Sequence, residues 1–234
     1  TYADATAVIR EFLDAGITRF LALRGDPPAG TAEEDIYLGD LESAAQLVQL
    51  IDRVQAECSP YREQEIPGVP GAARVQPAPR VEIAVAAFPN GHPRSRHRFE
   101  DIDALLAKQA AGATSAITQL FFHADEYLAF VARARAAGVR IPIVPGIMPI
   151  TSPARLRRVL ELTGDPRPDD LGEALETATD AAAQRAVGIA HAADLARAVL
   201  DGGAPGLHLY AFNNHETVLA VLRAAGLIEQ ETLA

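Results

Sequence analysis

The side chains of this sequence best suited to chemistry stand at or just past the ends of short apolar runs. Arg24, Gly25 and Asp26 follow the run 20–23. Phe88, Asn90 and His92 close the run 81–88, and Gln119 and His123 lie at the end of 115–122. Pro145 and Gly146 follow 141–144, and Asn213 and Asn214 follow 206–212. If these runs are parallel strands, their carboxyl ends share one rim, which is where such folds place their chemistry. The rim would carry a guanidinium, a carboxylate, an aromatic plane, an imidazole and carboxamides. That mixture suits a large heterocyclic ligand better than a metal or a nucleophilic attack.

Competing chemistries lack their spacing. The six histidines, at 92, 97, 123, 191, 208 and 215, form no His-x-x-x-His pair, so no zinc site is expected. No Gly-x-Ser-x-Gly elbow occurs, and no Gly-x-Gly-x-x-Gly follows a strand. The glycine-rich stretch 202–206 precedes a strand and reads as a tight connection. His191 falls in a helical pattern and His208 in a strand, which makes packing or surface roles the simpler reading. Arg24-Gly25-Asp26 as an adhesion string would need a flexible loop in a secreted protein, and the strand before it argues against that.

Composition narrows the class further. With 31 acidic and 21 basic residues the formal charge is −10, unsuited to a nucleic-acid or anionic-membrane partner. Cys58 is the lone cysteine, which excludes a disulfide framework or thiolate cluster and points to a reducing compartment. No uninterrupted apolar span has transmembrane length. A soluble, cytoplasmic, metal-free protein is expected, and 234 residues at 49% hydrophobic are read as one domain, 1–234.

The elements that must hold the rim alternate. Helical spacing covers 5–15, with Val8, Ile9 and Phe12 on one face and Gly16 as C-cap, and then 40–57, 99–111, 125–137, 152–162, 180–201 and 215–225. A short or irregular helix fits 163–176, and Gly188 reads as a tolerated interruption of the longest helix. The five apolar runs read as buried strands, the first opening the chain's polar loop. The stretch 58–80, with five prolines and two glycines, is expected to sustain neither helix nor strand and to form a surface insertion. Strands joined through helices argue for a parallel sheet with right-handed crossovers.

Four motifs carry a resemblance. Residues 21–28 (Leu-Ala-Leu-Arg-Gly-Asp-Pro-Pro), 85–93 (Val-Ala-Ala-Phe-Pro-Asn-Gly-His-Pro), Lys108 through 111–113 to 116–122 (Ala-Ile-Thr-Gln-Leu-Phe-Phe), and 142–150 (Pro-Ile-Val-Pro-Gly-Ile-Met-Pro-Ile) resemble the bacterial methylenetetrahydrofolate reductases. The resemblance implies a (β/α)8 TIM barrel, of which this chain would cover about the last five βα units. It implies FAD at the carboxyl-end rim and reduction of 5,10-methylenetetrahydrofolate to 5-methyltetrahydrofolate with NADH or NADPH. By position, Arg24, Gly25, Asp26, Tyr37, Phe88, His92, Asp101 and Lys108 match the family's FAD contacts. His92 and Lys108 would suit the pyrophosphate, and Asp101 a sugar hydroxyl or a cationic neighbour. Asp26 would lie between flavin and pterin and resist negative charge on the reduced flavin. Gln119 matches the residue that meets pterin and nicotinamide in turn.

The chain departs from the family pattern in three places. Phe88 replaces a tyrosine, keeping a stacking plane and losing a hydroxyl. Asn214 stands where the family has an arginine contacting the folate tail, and Arg155 is the residue expected to compensate. Three strands, the first carrying the family's acid glutamate, do not precede the opening helix, and five strands cannot close an eight-stranded barrel. The expectation is therefore a fragment. The rival readings are a catalytically incompetent FAD- or pterin-binding piece, or another barrel flavoenzyme such as a proline dehydrogenase. Homo-oligomerisation is left open.

Overall fold

The alternating pattern resolves into eight helices and seven strands among the described residues of the computed structural model, which are 1–23, 39–58, 61–92, 95, 97 and 99–229. In chain order they are α1 (Tyr2–Asp14), β1 (Arg19–Ala22), α2 (Ala44–Cys58), β2 (Tyr61–Glu65), β3 (Ala73–Pro77), β4 (Glu82–Ala87), α3 (Glu100–Ala110) and β5 (Ser115–Leu120). Then follow α4 (Ala124–Ala137), β6 (Ile143–Ile147), α5 (Pro153–Thr163), α6 (Asp169–Thr177), α7 (Ala181–Asp201), β7 (His208–Leu209) and α8 (His215–Ala224). Five strands form one sheet in the order β1-β4-β5-β6-β7, with β1 parallel to β4 and β6 parallel to β7. Within that sheet, the expected alternation of strands and helices is the observed one, apart from the hairpin of β2 and β3 between α2 and β4. No helix among the described residues is long and apolar enough to cross a membrane.

The chain divides into two compact units, Thr1–Ala86 with Ala104–Ala116, and Ala87–Asp103 with Ile117–Ala234. In the first, α1 begins on a capping box between Thr1 and Asp4 and packs against α2. Val48, Ile51 and Val54 of α2 are buried together with Ile83, Val85 and Leu105. Gln55 is the buried polar exception on α2. Its amide donates to the Pro79 carbonyl at 2.7 Å and its oxygen accepts the Val81 N–H at 2.9 Å, so both halves of the carboxamide are satisfied.

Three expectations for this unit need correction. The run 20–23 is not a buried strand: Ala22 is buried, but Leu21 and Leu23 are 47% and 51% exposed. Among the described residues β1 ends the sheet order and pairs only with β4, which leaves Leu21 less covered than a central strand would. On α1 only Ile9 is buried, with Val8 and Phe12 exposed, so the three do not form one covered face. The stretch 58–80 does contain regular structure. β2 and β3 pair antiparallel from Tyr61↔Pro77 to Glu65↔Ala73. Pro67 and Pro70 fall in the connecting loop, where Val69 donates to Ile66 and Ala72 to Val69, and Pro77 ends its strand. Proline is harmless where no N–H is asked of it.

Along β5, buried Ala116, Thr118 and Leu120 alternate with half-buried Ser115, Ile117 and Gln119. Leu120, Phe122, Ile150, Leu156, Leu171 and Leu175 build a core between strand ends and helices. Ser152 caps α5 with proline at the first helical position, as its sequence predicts. β6 does not stop before Pro145-Gly146; it runs through both to Ile147. Gly146 belongs in the strand because a Cβ there would lie 2.2 Å from the Thr118 carbonyl oxygen. Gly188 is likewise required rather than tolerated, since its Cβ would meet the Ile150 oxygen at 2.0 Å. β7 is shorter than the run 206–212, covering only His208–Leu209, and beyond it Phe212 and Asn213 turn to φ of 43° and 61°.

Candidate functional site

Among the described residues of the second unit, a polar site grows from the turn after β4. Gly91 N–H bonds to the Phe88 carbonyl at 3.2 Å, folding the chain so that the Phe88 and His92 rings meet edge to face at 4.7 Å. Asp101 stands in the first turn of α3, among acidic residues that suit a helix N-terminus. Its Oδ1 accepts the His92 N–H at 3.1 Å and the Ser95 hydroxyl at 2.9 Å. Its Oδ2 is buried and has no hydrogen-bond partner among the described residues. A buried carboxylate oxygen without a donor is costly, and a ligand hydroxyl or amine would satisfy it.

Phe88, His92 and Asp101 line a cleft of about 550 Å³, whose other wall comes from α4 and the loop after α5. Asn90 ties these elements together by donating to Glu126 Oε1 at 3.3 Å. Glu126 Oε2 accepts the backbone N–H groups of Phe122 and His123, each at 2.9 Å, fixing the start of α4. Asp165 lies across the cleft, and burial pushes its carboxyl above the usual range; the nearby Glu126 charge raises it further, while bonds to Thr163 and Asn90 pull the other way. Asp125 and Arg133 also contribute to the lining. The wall is thus rich in carboxylates, which favours hydroxyl and amino donors over a second anion.

Of the residues singled out in the sequence, Phe88, His92 and Asp101 are brought together here. Arg24, Gly25, Asp26 and Tyr37 lie outside the described residues. Lys108, in the last turn of α3 and in the first unit, donates from Nζ to the Ala86 carbonyl at 2.8 Å. Gln119 does not line the cleft. Its Oε1 accepts the Leu120 N–H at 3.0 Å, and its amide nitrogen makes no bond among the described residues. Asn214 serves as N-cap of α8, accepting the Thr217 N–H at 3.1 Å, and the Arg155 guanidinium sits 5.7 Å from the centre of the Phe212 ring. Among the described residues no cluster of His, Cys, Asp or Glu could hold a metal ion.

Glu126, Asp165 and Arg133 were missed by sequence reasoning. Glu126 carried a weak signal, an acid three residues after the strand-ending His123, which is the spacing of a capping box. Asp165 and Arg133 carried none, because only folding sets them opposite residues 88–92. His191 fulfils its structural reading: it lies in α7, and burial lowers its imidazole below the usual range.

A sheet with parallel strands and a polar cleft past a strand's carboxyl end define an α/β protein, and a cleft in that place is a candidate binding site. The family model for methylenetetrahydrofolate reductase matches residues 1–226, and the chain belongs to that family. It is 31% identical over 231 residues to the probable methylenetetrahydrofolate reductase (NADPH) of Caenorhabditis elegans, covering 98% of this chain and 31% of that protein. The probable NADH form from Oryza sativa subsp. japonica is also 31% identical, over 94% of this chain and 35% of its own length. The 5,10-methylenetetrahydrofolate reductase of Salmonella typhimurium is 29% identical, over 97% and 69%. The chain spans about a third of the nematode and rice relatives and somewhat over two thirds of the bacterial one.

Proposed function

We propose that this chain is the flavin-binding and substrate-binding part of a reductase that converts 5,10-methylenetetrahydrofolate to 5-methyltetrahydrofolate with NADH or NADPH. Its five-stranded sheet is read as part of a (β/α)8 barrel. The observation that carries the proposal is the state of Asp101: one oxygen is held by His92 and Ser95, and the other is buried and lacks a donor on the wall of a cleft. A sugar hydroxyl of FAD supplies the donor that Oδ2 lacks, so the residues present fit the group. FAD, when bound, supplies the two-electron chemistry of hydride transfer.

The protein's share is binding and orientation. Phe88 offers a ring face or edge, and its edge-to-face contact fixes the His92 imidazole. The cleft carboxylates, Asp101 and Glu126 among them, favour the sugar and base end of the dinucleotide. The pyrophosphate is assigned by position to His92 and Lys108. Arg24, Gly25 and Tyr37 are assigned to the flavin by the same resemblance, and Asp26 to the space between flavin and pterin. Gln119 offers an amide with donor and acceptor on one group, able to serve pterin and nicotinamide in turn.

The test is a visible spectrum of purified protein followed by hydride transfer measured against a free-flavin control. Bound flavin and oxidation of NADH or NADPH that depends on methylenetetrahydrofolate are expected. A colourless protein that refuses added FAD refutes the proposal. Yellow protein without turnover favours a binding role alone, and bleaching by proline favours the proline dehydrogenase reading.

A further inference from the structure

Gln119 is held from behind by a network that no sequence motif announced. Tyr210, the residue after β7, donates its hydroxyl to the Thr118 carbonyl at 2.9 Å across 92 positions of sequence. To get there its ring passes over Gly146 of β6, where a Cβ would lie 2.8 Å from Tyr210 Cε2. Gly146 N–H in turn donates to the Thr118 hydroxyl at 2.8 Å. Thr118 itself is fully buried. The peptide joining Thr118 to Gln119 is therefore anchored through its carbonyl by β7 and through the preceding side chain by β6. The orientation of that peptide sets where the Gln119 side chain leaves the strand.

We propose that the Tyr210 hydroxyl is a positioning residue for Gln119, fixing the peptide from which its carboxamide is presented to the pterin. This rests on the assignment of Gln119 to the substrate proposed above. A carboxamide that must hold a planar ligand by donor and acceptor together tolerates little displacement, and small errors in placement are costly. The half-buried phenol gives nothing to the ligand directly; it acts through Thr118.

The test is a double-mutant cycle on the full chain loaded with FAD. The dissociation constant of 5-methyltetrahydrofolate and the KM and kcat of turnover are read for Tyr210→Phe, Gln119→Ala and the pair. Tyr210→Phe is expected to weaken pterin binding about three- to tenfold, the worth of one ordinary hydrogen bond, with flavin binding unchanged and the melting temperature lowered by a few degrees because the Thr118 carbonyl loses a donor. In the Gln119→Ala background the same change should add nothing, because its effect runs through Gln119. Thr118→Val is a second route to the same loss, and Thr118→Ser should retain wild-type affinity.

Additive losses, or wild-type affinity in Tyr210→Phe, overturn the inference while leaving the role of Gln119 intact. Wild-type affinity in Gln119→Ala overturns the assignment of Gln119, and this inference with it.

Discussion

Asp101→Asn separates a ligand-binding carboxylate from a structural one. The substituted residue keeps the Oδ1 acceptor, so the His92 N–H at 3.1 Å and the Ser95 hydroxyl at 2.9 Å retain their partner. What changes is Oδ2, buried and without a donor among the described residues, which becomes an uncharged NH2 group. A hydrogen bond to a charged group contributes about 1.5–3 kcal/mol and one between neutral groups about 0.5–1.5 kcal/mol. A sugar hydroxyl can rotate to accept from the new amide, so the expected loss is the difference, about 1–1.5 kcal/mol, or roughly five- to tenfold in the FAD dissociation constant. Folding should change little, because relief of the buried charge is offset by weaker bonds from His92 and Ser95 and by the loss of an acidic group at the start of α3. The assay is titration of the apoprotein with FAD, followed by quenching of flavin fluorescence, beside thermal melting of the same samples. Weaker FAD binding at a nearly equal melting temperature is expected. Unchanged affinity, or affinity and melting temperature falling together, refutes the reasoning.

Three further outcomes follow from single contacts. Gln55→Leu leaves the buried Val81 N–H and the Pro79 carbonyl without the partners they now have at 2.9 and 2.7 Å. It should cost about 3 kcal/mol by chemical denaturation, and a loss below about 0.5 kcal/mol contradicts the role given to this bridge. Gly146→Ala places a Cβ 2.2 Å from the Thr118 oxygen and should destabilise by about 3 kcal/mol in the same measurement. A soluble variant with the wild-type unfolding midpoint would show that β5 and β6 are not so closely apposed. His191 is held neutral by burial, so the unfolded chain takes up a proton, near its ordinary 6.5, before the folded chain does. Stability should therefore be complete above about pH 7 and decline as pH falls through about 6.5, with His191→Gln flattening that decline; equal slopes in the two proteins would exclude His191 as its source.

Much of the fold was legible because its causes are local. A run such as 81–88 followed by a proline turn has no helical period, and Ser152-Pro153 carries its own start signal for α5. Their spacing also identified Phe88, Asn90 and His92 as neighbours at one strand end. The hairpin of β2 and β3 was hidden by a rule applied residue by residue. Its prolines do break structure, but two sit in the loop and one at the end of β3, where no pairing is interrupted.

The sequence by itself determined the helices and the five strands of the main sheet, though not the β2–β3 hairpin, and, through four motifs in order, the family, since propensity, capping and short motifs reside in neighbouring residues. Only the tertiary structure decided which of those segments are covered: Leu21 and Leu23 are as apolar as any core residue, yet both are exposed. It alone set Asp165 opposite the turn at 88–92 and brought Tyr210 onto the Thr118 carbonyl. Contacts between residues so far apart along the chain arise from the order in which strands lie side by side, and that order leaves no mark in the spacing of residues within any one strand.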